Sequence, residues 1–159
     1  MHFWKQFRAK ACSVSLAGAT KDDVLRELVT NLVEGGSLAG ALSDKAFVAL
    51  VEREKMATTG VGQNVAIPHV RVPGLTQTAA ALSLHRAGLP WGSVDDEPVH
   101  LVFTVLRPER AGEHHDPEQH LEMMRWIARL SRSSDFRSFA LQARTRTELV
   151  DLLKEMSSV

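Results

Sequence analysis

The stretch Val99-His100-Leu101-Val102-Phe103-Thr104-Val105-Leu106 constrains this chain more than any other. Six of its eight residues are apolar, and they do not alternate with polar ones. A strand of that composition cannot turn one face to water, so it belongs at the centre of a sheet covered on both sides. A second strand-like run spans Thr78 to Leu84, and helix and strand signals alternate elsewhere without a linker, repeat or low-complexity tract. The pattern predicts an α/β fold, a mixed β-sheet flanked by helices on both faces, in a single domain over residues 1–159.

Local signals place the remaining elements. Ser13 to Leu16 reads as a short strand. Thr20 then caps a helix whose apolar face is Val24, Leu25, Leu28, Val29 and Leu32, and Gly35 and Gly36 end it. A second helix runs from Ser43 to about Lys55, with Arg53 near its C-terminal end. Thr59 to Asn64 is turn-rich, with Gly60 and Gly62 shaping the turn, and leads into Val65-Ala66-Ile67, which ends at Pro68-His69. The residue before a proline avoids helical geometry, so Ile67 is expected to be extended and His69 to sit just past a strand end. Asp116 is the expected N-cap of a helix that carries Pro117 at its first position and Gln119 in a capping box, and that runs to about Ser131. Two shorter helices follow, capped by Ser134 and Thr147. Phe3, Trp4 and Phe7 suit a helix over one edge of the core.

Charge and cysteine content remove several classes of function. Nineteen basic residues balance nineteen acidic ones, which advertises no nucleic-acid surface. Cys12 is the only cysteine, so a disulfide framework is excluded and a reducing, cytoplasmic setting is expected. Neither a signal peptide nor a membrane-spanning run is present, so no stable membrane insertion is expected. Glycine loops of the P-loop and dinucleotide types are missing, as are Gly-x-Ser-x-Gly and His-Glu-x-x-His.

Histidine is left as the main chemical candidate, being a nucleophile whose charge changes near neutral pH. His2 falls at a terminus, and His85 and His100 at expected strand ends. His69 sits in a connection stiffened by proline, where a reacting side chain is both exposed and held. His114, His115 and His120 invite a metal reading, but adjacent side chains seldom converge on one ion and no cysteine completes a site, so no metal is expected. His120 lies in the first turn of the Asp116-capped helix, where backbone amides and the helix dipole favour a nearby anion.

The segment Arg53-Glu54-Lys55-Met56-Ala57-Thr58-Thr59-Gly60-Val61-Gly62-Gln63-Asn64-Val65-Ala66-Ile67-Pro68-His69 resembles the fructose/mannitol-type IIA domains of the phosphoenolpyruvate-dependent sugar phosphotransferase system, with their nitrogen-regulatory relatives. Gly88-Leu89-Pro90-Trp91 is similar to the family's turn before the central strand, and Glu118-Gln119-His120-Leu121 to the motif bearing its second histidine. The resemblance extends from about Val14 to Met156. It implies that His69 accepts a phosphoryl group from the histidine phosphocarrier protein, that His120 and Arg53 stabilise the phosphate, and that no cofactor takes part. A regulatory role, in which phosphorylation controls another protein, is the reading taken. Its alternatives are a sugar-transport component passing phosphate to a IIB domain, and a binding module that no longer accepts phosphate. Two positions depart from the family. Val70 stands where glycine usually follows Pro-His, and valine resists the positive φ angles that glycine allows. Asn64 also replaces a common glycine, but asparagine tolerates the left-handed region.

Overall fold

The computed structural model describes residues 2–157. Five strands form one mixed sheet: β1 (Gly60–Gly62), β2 (Val65–Ala66), β3 (His69–Val72), β4 (Ala79–Leu89) and β5 (Val99–Pro108). The apolar run is indeed central. Along one edge β5 pairs in parallel with β2 and then β3, and along the other it pairs antiparallel with β4. β2 and β3 hold one continuous register on β5, Val65 opposite Leu101 and His69 opposite Val105. Ile67 and Pro68 interrupt the strand because proline has no N–H for the ladder, while the Pro68 carbonyl still accepts from the Val105 amide at 2.9 Å. His69 thus follows the end of β2, as expected, and also opens β3.

Five helices cover the sheet: α1 (Lys21–Glu34), α2 (Ser43–Met56), α3 (Pro117–Arg132), α4 (Ser134–Gln142) and α5 (Arg146–Glu155). The predicted α1 face, Val24, Leu25, Leu28, Val29 and Leu32, is fully buried. α1 packs on β4 and α2 on β3. On the opposite face, Phe103 of β5 stacks on Phe136 of α4 at 5.8 Å between ring centroids. Phe7 meets both Phe103, at 6.3 Å, and Trp126 of α3, at 6.0 Å. Burying rings of this size dominates core energetics, at about 1.5–3 kcal/mol per large side chain.

Several local expectations need correcting. Ser13 to Leu16 forms no regular strand. It makes one parallel bridge, Ser13 to Ser83, with the Leu16 amide donating to the Leu84 carbonyl at 2.8 Å. The N-terminal segment is two short 3₁₀ turns, Phe3–Gln6 and Ala9–Ala11, with Phe7 buried after the first. His85 lies inside β4 and not at its end, with Nε2 against the Gly18 carbonyl at 2.8 Å. The caps of α4 and α5 are Ser133 and Thr145, not Ser134 and Thr147. Their hydroxyls accept from the amides of Phe136 (3.2 Å) and Glu148 (3.1 Å), a reach available only from the residue just before the first turn. Asp116 does cap α3, but its carboxylate accepts from Glu118 N–H at 3.0 Å and Gln119 does not close a capping box.

Candidate functional site

His69 is held by its own loop. Its Nδ1 lies 2.7 Å from the carbonyl oxygen of Ile67. A carbonyl only accepts, so Nδ1 carries the hydrogen and donates. The neutral ring then keeps its lone pair on Nε2, which is the nucleophilic tautomer. Ile67 is anchored in turn, since its amide donates to the Thr59 carbonyl at 2.9 Å. Val70 causes no strain. It takes a β-strand conformation opposite Leu106 and is not among the positive-φ residues, so the left-handed geometry that glycine would serve is not needed. Asn64 does sit at φ 66°, after Gln63 at φ 59°. Both central residues of this tight β1–β2 turn are left-handed, as such hairpins require.

A buried network fixes the loop that carries Thr59. The Glu54 carboxylate is 6% exposed. It accepts from the Thr59 amide at 3.1 Å, from the Thr59 hydroxyl, and from Lys21 Nζ at 3.0 Å. A buried carboxylate is tolerable only when it is paired and hydrogen-bonded in this way. Arg53 also serves this loop, its guanidinium donating to the Ala57 carbonyl at 2.8 Å. The structure therefore places Arg53 at the end of α2, braced on the approach to Thr59, with donors left over. Sequence reasoning missed Glu54 and Thr59, although both stand inside the quoted motif.

His120 comes from the other side of the site. It is the fourth residue of α3, and its own amide already donates to the Asp116 carbonyl at 3.0 Å. Its imidazole is half-buried, and its pKa is pushed from the ordinary 6.5 down to about 4. Burial is the main cause, followed by the charges of Arg107, His115 and His69. His69 and His120 are thus brought within electrostatic reach of each other. The hydrogen bond of Arg53 goes to the Ala57 carbonyl and not to either ring. His115, buried beside them with its ring centroid 5.7 Å from that of His120, is also held below its ordinary pKa by burial and Arg107. Arg107 and His115 were not singled out as site residues from the sequence. The signal for Arg107 was available: an arginine one residue beyond the expected end of an apolar central strand.

A polar cavity of about 170 Å³ opens against His114, His115 and His120, with Gln6, Gln77 and Thr78 on its other walls. That is below the roughly 300–1,000 Å³ of sites that enclose an organic ligand. Among the described residues no three His, Cys, Asp or Glu side chains gather as a metal ion requires.

The depressed imidazole has a measurable consequence. Between pH 6.5 and about 4 the unfolded chain binds a proton at His120 that the folded chain does not, so stability falls as pH drops through that window. The limit is about 1.4 kcal/mol per pH unit, and partial exposure reduces it to about 1 kcal/mol between pH 7 and pH 5. Urea unfolding of the wild type should lose that much, and His120→Gln should lose less. Identical pH dependence in the two proteins would contradict the assignment of the effect to His120.

Three kinds of comparison bear on identity. The chain is 31% identical over 138 residues to the fructose-specific EIIA component of the phosphotransferase system from Haloferax volcanii, covering 87% of this chain and 85% of that one. It is 37% identical over 116 residues to a nitrogen regulatory protein from Bradyrhizobium diazoefficiens, covering 73% and 71%. Its fold superposes on the crystal structure of nitrogen regulatory protein IIA-Ntr from Neisseria meningitidis with a TM-score of 0.79 and 26% identity, over 94% of this chain and 97% of that one. The family described as phosphoenolpyruvate-dependent sugar phosphotransferase system, EIIA 2, matches residues 5–156. With the paired histidines on the expected fold and a match running almost end to end, this chain belongs to the EIIA type 2 family of the phosphotransferase system.

Proposed function

We propose that this protein is a cytoplasmic phosphocarrier that takes a phosphoryl group from the histidine phosphocarrier protein onto Nε2 of His69. The observation that carries the reading is the Nδ1 contact to the Ile67 carbonyl, which leaves Nε2 as the basic nitrogen. In the transfer, Nε2 attacks phosphorus in line as the donor's P–N bond breaks, with the electron pair staying on the donor imidazole. Protons balance when the one released by the phosphorylated His69 ring is matched by the one gained on the donor ring. His120, neutral near pH 7, hydrogen-bonds the phosphoryl oxygens without adding a charge that would hold the group in place. Arg53 stabilises them with the donors that the Ala57 carbonyl does not use.

The phosphorylated form adds negative charge at one surface point, enough to change which protein binds there. Similarity to two nitrogen regulatory proteins favours a regulatory role. Similarity to a fructose-specific component supports the alternative, onward transfer to a IIB domain. No helix among the described residues is long and apolar enough to cross a membrane. Incubation with phosphoenolpyruvate, enzyme I and the histidine phosphocarrier, followed by intact-mass measurement, tests the reading. An acid-labile gain of one phosphoryl group is expected, and its absence would leave a binding module that keeps the fold alone.

A further inference from the structure

Side chains alternate along a strand, so Leu101, Phe103, Val105 and Arg107 share one face of β5. Phe103 identifies that face as the one under α3 and α4, through its stack on Phe136 and its contact with Phe7. The parallel register sets Val105 beside His69 and Arg107 beside Arg71. His69 and Arg71, two residues apart on β3, lie on this same face. The C-terminal end of the central strand pair therefore presents an imidazole and two guanidiniums side by side, opposite the turn of α3 that carries His120.

The ion pairs formed by the described residues engage Lys21, Arg26, Lys55 and Arg125, and neither Arg71 nor Arg107 takes part in one. Like charges directly across two strands are destabilising. Arg107 is also half-buried, and both its burial and the charge of Arg71 disfavour its cationic form. The N-terminus of α3 offers an anion little in the way of donors. Pro117 has no N–H, the Glu118 amide is taken by the Asp116 carboxylate, and the His120 amide is taken by the Asp116 carbonyl. A dianion bound between His69 and His120 thus finds unpaired positive charge at the end of β5, where Arg107 already acts electrostatically on His120.

We propose that Arg107, backed by Arg71, receives the phosphoryl oxygens at this site and is a phosphate-contacting residue additional to Arg53. This rests on His69 as the acceptor. The guanidinium fork can take two equatorial oxygens at once and offset charge as the P–N bond exchanges. Arg71 contributes through charge, from the exposed side of the pair.

Two measurements test this, one of which needs no phosphotransfer partner. In the first, the rate of phosphorylation from the histidine phosphocarrier is followed by quenched intact-mass sampling. Arg107→Gln should be slower by about 10²-fold. Arg107→Lys should recover part of the rate, keeping the charge but not the fork, and Arg125→Gln, which removes an exposed charge from α3, should match the wild type. In the second, inorganic phosphate is titrated into the unphosphorylated protein while the ring signals of His69 and His120 are read by NMR. The wild type should show a saturable shift, and Arg107→Gln should need at least about tenfold more phosphate. A wild-type rate in Arg107→Gln would overturn the proposal while leaving His69 as acceptor. If the wild type itself takes no phosphoryl group, it is the phosphocarrier reading that fails, and the titration alone then decides on Arg107. Equal phosphate curves for wild type and Arg107→Gln, or no shift in either, would overturn it.

Discussion

His69→Ala should show no phosphoryl gain at any time of incubation, while the wild type is converted in full. No other imidazole at the site combines the same features. His69 has a donor-locked Nδ1 and opens β3 at the sheet edge, whereas His120 is half-buried, carries a depressed pKa and projects from a helix. The fold should survive the change. Removing a half-buried ring and one hydrogen bond to Ile67 costs about 1 kcal/mol, far less than loss of a core side chain. Far-UV circular dichroism and the urea midpoint should therefore stay close to wild type, so that loss of phosphorylation reports chemistry and not unfolding. Retained phosphorylation of this variant would move the acceptor to another histidine.

The second large effect is expected at the supporting groups. His120→Ala should still label His69, but about 10²-fold more slowly, the usual cost of removing one preorganised donor from a transition state. Arg53→Ala should behave similarly for two reasons. On the proposed reading it loses a guanidinium from the phosphate, and it releases the Ala57 carbonyl that braces the approach to Thr59 and Ile67. The two contributions separate in Arg53→Lys, which keeps a donor for Ala57 and a charge but not the planar fork. Peptide mapping of phosphorylated wild type under mildly alkaline conditions should place the label on His69. Label on His120 would reverse the two roles.

The contrast between Val70 and Asn64 shows how far a motif departure can be read before folding is considered. Both replace residues at which the family commonly has glycine, and the same worry about left-handed backbone applied to both. Asn64 does occupy that region, with φ 66°. Val70 does not, because the strand that resumes after Pro68 carries it, hydrogen-bonded in register with β5. Residue chemistry states what each side chain tolerates, but whether the tolerance is called upon depends on strand pairing.

From the sequence alone came the helices, the apolar central strand and the extended residue before Pro68, all of which depend on interactions within a few residues or on one-dimensional periodicity, whereas the pairing of His69 with His120 came from the family resemblance. The α1 face could be named residue by residue because burial repeats every 3.6 positions. Strand order was beyond that reach. That β2 and β3 lie in tandem on one edge of β5, with β4 antiparallel on the other, depends on pairings across 10 to 36 residues that no local signal encodes. The same is true of the site's electrostatics. Arg107 and Arg71 are 36 positions apart in the chain and adjacent only through that register. The low pKa of His120 exists only because α3 folds its first turn against the end of β5, where burial and a neighbouring guanidinium act on one imidazole together.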